Sequence, residues 1–198
     1  MNRLTQTMKK RKGFTLVELI VVIVIILILA AVMVPLLMNY IGQAKMAKNI
    51  EEAKTCMTVT QGEMINLYAE NTIISNTTLQ YGDVDLRNTP TANNILNSLG
   101  AKPYMLILGM GDYKTYSKEN KMEKAYTVYF AAYWANKDDD PIFNDGTDWT
   151  TKYPWTGDGK NTFNVHGDEV NLQFYFITAP NSNISTNWGD LQKKVGVK

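Results

Sequence analysis

The chain has a single cysteine, Cys56, and a single histidine, His166, in 198 residues. One cysteine excludes an internal disulfide, so packing alone must hold the fold, and Cys56, set in a helix-patterned stretch, reads as a small buried hydrophobe. With one histidine and no nucleophile motif, no Ser-His or Cys-His catalytic set is supported. The sequence also lacks a phosphate-binding glycine loop, a paired metal motif and an internal repeat. Acids are missing from residues 1–13, which carry Arg3, Lys9, Lys10, Arg11 and Lys12. Without those five, the 20 Lys and Arg become 15 against 19 Asp and Glu, a net charge of −4. Such a surface lacks the clustered cations that displace counterions from phosphates, which argues against general nucleic-acid binding.

Charge of either sign is missing again from Leu19 to Met38, twenty residues in all. At the helical rise of about 1.5 Å per residue they reach roughly 30 Å, the thickness of a bilayer's hydrocarbon core. The basic cluster before this run stays cytoplasmic, so its C-terminal end points outward. Glu18 sits at the leading edge. On insertion scales a central acid costs about 2.5–3.5 kcal/mol and each Leu, Ile, Val or Phe returns about 0.3–0.6, so the helix still inserts. By itself Glu18 reads first as a carboxylate tolerated near the headgroups.

Gly13-Phe14-Thr15-Leu16-Val17-Glu18-Leu19, following Lys9-Lys10-Arg11-Lys12 and opening the apolar run, resembles the processing site of type IV pilins and pseudopilins. The resemblance covers about the first 45 residues and includes Pro35. It implies that a membrane prepilin peptidase cuts after Gly13 and methylates the new Phe14 amine. A glycine there suits a protease that must draw in the backbone, having no Cβ to obstruct it. The resemblance further implies that Glu18 pairs with the Phe14 amine of a neighbouring subunit during assembly; four residues, one helical turn, separate the two. Many members close a C-terminal loop with a disulfide, and a chain with Cys56 alone departs from that pattern.

The expected organisation is a cleaved basic leader (1–13), a transmembrane and polymerisation helix (14–38), its amphipathic continuation (39–69) and an extracytoplasmic head (70–198). Pro35 removes one backbone donor and kinks the helix or ends it. Apolar spacing through Leu37, Ile41, Ala44, Ala47, Ile50, Ala53, Met57, Met64 and Leu67 favours one bent helix, with Lys45, Lys48, Glu51, Glu52 and Lys54 opposite. The polar stretch 70–102 reads as a connection with one short helix over Thr91–Leu99. Strands are expected at Tyr104–Leu108, Tyr113–Tyr116, Ala125–Trp134 and Val170–Thr178, with a turn at Gly109–Asp112 and exposed loops over Asn136–Asp168 and beyond Ala179. The predicted fold class is α+β: a long N-terminal helix packed on a small antiparallel sheet, like that of the type IV pilins.

Asp138, Asp140, Asp145 and Asp148 offer oxygen ligands of the kind calcium prefers, but the spacing is not that of an EF-hand, and solvated turns explain them more simply. Trp149, Tyr153 and Trp155 suit sugar stacking or the edge of a small core. No cofactor is expected. The leading expectation is a structural, non-enzymatic subunit of a type IV pilus, a homopolymer with other pilin subunits. It is single-pass in the cytoplasmic membrane before assembly and extracellular after it. The alternatives are a pseudopilin or minor pilin of a type II secretion or competence system, or a membrane-anchored adhesin.

Overall fold

The computed structural model describes residues 13–73, 84–87, 89–100, 102–144, 146–152, 162–165 and 167–178, and the chain divides into two compact units between Met46 and Ala47. Helix α1, Leu16–Ala69, contributes to both. In the first unit its side chains are exposed throughout, and it is long and apolar enough to cross a membrane. Pro35 lies inside α1 and does not end it, a placement that membrane helices tolerate.

In the second unit, α1 buries Asn49, Ala53, Cys56, Thr60, Met64 and Leu67, spaced three or four residues apart as one helical face requires. The sequence put Ile50 and Met57 on that face; both are half-buried, because the contact line runs to one side, through smaller residues. Thr60 belongs to Thr58-Val59-Thr60, three β-branched residues of low helix propensity. Its hydroxyl donates to the Cys56 carbonyl (2.7 Å) and that of Thr58 to the Lys54 carbonyl (3.0 Å), so neither competes for the helix's own donors. Glu52, expected on the solvent face, is instead half-buried and accepts a hydrogen bond from the Tyr133 hydroxyl at 2.7 Å.

The sheet is larger than the three or four strands expected. Among the described residues its seven strands are β1 (Val84–Asp85), β2 (Met105–Gly111), β3 (Val128–Trp134), β4 (Ile142–Asn144), β5 (Trp149–Thr150), β6 (Thr162–Val165) and β7 (Asp168–Thr178), in the order β1-β7-β2-β3-β4-β5 with β6 also on β7. All pairings are antiparallel except β1 with β7. Directly opposed residues share a face. Leu108 faces both Ala131 and Tyr175, on the Tyr133 side, while Phe143 faces Ala132 on the other side with Phe130 and Trp134. There Phe130 packs edge-on to Phe174 (centroids 5.6 Å apart) and Trp134 edge-on to Phe143 (5.8 Å). Residues on both faces of β3 are buried from Phe130 to Trp134.

Four local expectations are corrected. Gly109-Met110-Gly111 is not a turn: β2 continues to Gly111, since β3 and β7 flank it and saturate its backbone. Tyr113–Tyr116 is not a strand but the start of helix α3 (Tyr113–Lys118), whose N-cap Asp112 accepts from the Thr115 amide at 2.9 Å. Asn136–Asp168 is not all exposed loop, for it supplies β4, β5 and β6 and buries Ile142 and Phe143. The strand expected from Ala125 begins only at Val128, because Ala125 closes a short helix α4 (Met122–Ala125) and Tyr126 caps it. Helix α2 (Pro90–Asn97) forms close to the predicted span, with Thr89 as N-cap and Pro90 at its first turn.

Candidate processing and assembly site

Thr15 and Glu18 enclose the start of α1. The Glu18 Oε2 atom accepts from the Thr15 amide and from the Thr15 hydroxyl, both at 2.8 Å. In return the Glu18 amide donates to Thr15 Oγ1 at 3.2 Å, and the Leu19 amide donates to the Thr15 carbonyl, also at 3.2 Å. This is a reciprocal capping box with Thr15 as N-cap and Glu18 three residues on. It satisfies amides that have no partner inside a helix, and it places a carboxylate in the first turn, where the helix dipole favours negative charge. No described residue donates to the other oxygen, Oε1.

The sequence reading valued Glu18 for its position in the apolar run and passed over Thr15. The signal was available: Ser or Thr followed three residues later by Glu, ahead of an apolar stretch.

Outside this box, Gly13 has open space where a Cβ would project, and Phe14 is 88% exposed. The junction between them is thus accessible, with nothing packed over it among the described residues. Every atom of the capping box belongs to residues from Thr15 onward, so a cut between Gly13 and Phe14 removes none of them.

The remaining candidates scatter. Cys56 is buried, its thiol pushed up to about 12 by burial first and then by the nearby Glu52 charge. Asp138 and Asp140 lie in the connection from β3 to β4 and Asp148 just before β5, while Asp145 falls outside the described residues. Among the described residues no three His, Cys, Asp or Glu converge as metal ligands would. In the same loop Asn144 Oδ1 accepts from the Gly146 amide at 2.9 Å and so shapes the turn; Gly146 has φ +88°, where a side chain would be strained. Trp149 is half-buried against the core, whereas Tyr153, Trp155 and His166 lie outside the described residues.

Residues 8–34 match the family model described as the prokaryotic N-terminal methylation motif. No curated protein and no solved structure matches the chain.

Proposed function

From the prepilin-type methylation motif that this chain carries at residues 8–34, the hallmark of type IV pilins and pseudopilins, we propose that it is a structural subunit of a type IV pilus. The motif implies processing by a prepilin peptidase and assembly with other pilin subunits in the membrane. In this reading the peptidase cuts after Gly13 and methylates Phe14. Residues 14–38, including Pro35, anchor the chain in the cytoplasmic membrane, and the same helix later packs in the filament, with Glu18 pairing to the freed amine of a neighbour. The remainder of the chain, 39–198, is the amphipathic continuation and the head. Assembly by helix packing needs no catalysis or cofactor from the subunit.

The observation that carries the reading is the match over residues 8–34, supported by an exposed Gly13–Phe14 junction and an α+β unit of the pilin-like kind. Mass spectrometry of sheared surface filaments tests it. The expected result is an abundant subunit beginning at methylated Phe14. A subunit cut at the same bond but scarce in filaments would make the chain a pseudopilin or minor pilin; one that keeps its original basic head would overturn the proposal.

A further inference from the structure

We propose that the folded unit carries two flanks of opposite charge that pair between neighbouring copies: the exposed lysines of α3, Lys114 and Lys118, in one copy meet the acidic cleft beside Glu63 and Glu70 in the next. The inference rests on the subunit reading above and deepens it by naming the head surfaces that come together.

The cleft, about 560 Å³ in volume, opens between the outer end of α1 and the start of α2, where Glu63, Asn66, Leu67, Glu70, Pro90 and Asn94 line it. Asn94 Nδ2 donates to Glu63 Oε1 at 2.8 Å and holds that carboxylate in place. Glu70 is exposed and, among the described residues, meets no cation. The last turn of α1 has no basic residue, so the negative end of the helix dipole adds to the same field. On α3, Lys114 and Lys118 stand one turn apart, both exposed and neither in an ion pair among the described residues. Their neighbours are engaged: Lys121 pairs with Glu119 at 3.1 Å, and Lys124 lies over the Tyr116 ring, 5.7 Å from its centroid. The two surfaces lie on opposite flanks of α1. Tyr68 packs on Tyr126 with ring centroids 5.2 Å apart, and Tyr126 packs on Tyr113, the first residue of α3, at 6.5 Å. At 3.6 residues per turn, Tyr68 sits about 140–160° round the helix from Glu63, Asn66 and Glu70. Helix α3 thus adjoins one flank while the cleft opens on the other, and the lysines do not meet the carboxylates of their own chain. Like charges repel, so neither flank suits a two-fold contact with itself; each fits the opposite flank of a neighbour. Such a head-to-tail contact builds an open filament wherever its rotation does not close into a ring.

Charge reversal separates pairing between copies from a merely solvated surface. The test expresses three full-length variants in cells: Glu63→Lys with Glu70→Lys, Lys114→Glu with Lys118→Glu, and all four substitutions together, which leave the net charge unchanged. Leader removal, protease resistance of the head and filament yield are scored separately. The expected result is that each reversed pair is cut and resists protease while its filament yield falls about fivefold, the scale of one exposed charge contact. The chain with all four substitutions regains the pairing and returns to within about twofold of the unaltered yield. A second measurement needs no variant: a carbodiimide, which joins an amine to a carboxylate in contact with it, is applied to unaltered filaments. It is expected to give dimers whose linked peptides carry Lys114 or Lys118 on one side and Glu63 or Glu70 on the other. Full yield from either reversed pair, no recovery with all four substitutions, or dimers linked only at other residues overturn the inference. Should a reversed pair lose protease resistance, the crosslink alone decides. An unaltered chain that is cut yet never enters filaments strikes down the subunit reading itself, and the inference falls with it.

Discussion

Two residues illustrate how much a single side chain decides here. Cys56 is held protonated by burial and by the Glu52 carboxylate beside it, its folded pKa near 12 against 9.0 for a free thiol. Burial likewise raises the Tyr133 and Tyr175 hydroxyls, and Tyr133 is raised further by its bond to Glu52 and by the charge there. An acid whose folded pKa exceeds its unfolded value gives stability that is complete below the unfolded value and lost as pH rises toward the folded one. Melting temperature is therefore expected to hold up to about pH 9 and fall progressively towards pH 12. Scanning calorimetry across that range checks this, and a flat profile to pH 12 would contradict it. Gly111 is the second case. A Cβ there would lie 2.2 Å from the Lys124 carbonyl oxygen, a backbone atom that cannot turn aside. Gly111→Ala should cost about 1–3 kcal/mol, the usual penalty of overpacking, read as a lower urea midpoint. The glycine looked like a turn marker in the sequence, and only the arrival of α4 over β2 reveals why it is there.

Among the elements, α1 and β3 are joined by a side chain acting as backbone. The Gln61 amide donates to the Tyr126 carbonyl at 3.0 Å, and its Oε1 accepts from the Val128 amide at 2.8 Å, so Gln61 serves both groups at the entrance of the strand. Gln61→Leu removes both bonds and strands a half-buried amide; the expected loss is about 1–3 kcal/mol, with earlier hydrogen exchange at Val128. Exchange unchanged at that amide would show that water replaces Gln61 without cost. Helix α2, expected from Thr91, depends on a cap two residues earlier, where the Thr89 hydroxyl accepts from the Ala92 amide at 3.2 Å. Thr89→Ala should lower stability by about 1 kcal/mol in thermal melts. The α3 segment was misread as a strand because Tyr113 and Tyr116 have strand-like side chains, whereas the Asp112 cap and the Tyr116 hydroxyl, accepting from the Asn171 amide at 3.0 Å, fix a helix there.

For the molecule as a whole, the apolar segment and the folded unit answer to different tests. Deleting residues 1–40 should abolish filament formation, and Glu18→Ala should leave leader removal intact while stopping assembly. A blot of sheared surface material separates these outcomes, and normal filaments from Glu18→Ala would refute the pairing role. The sequence by itself determined the basic cluster ahead of Gly13, the charge-free run from Leu19 to Met38 and the α+β class. Hydropathy, charge order and short motif chemistry are local properties that no partner can change. Even the Thr15–Glu18 box was written locally. Tertiary structure alone decided that β2 runs on through Gly111, that β4, β5 and β6 arise in a stretch of polar composition, and that β1 joins β7 in parallel. Strands this short are stable only through the neighbours that complete their hydrogen bonds, and those neighbours are brought alongside only by the folded chain.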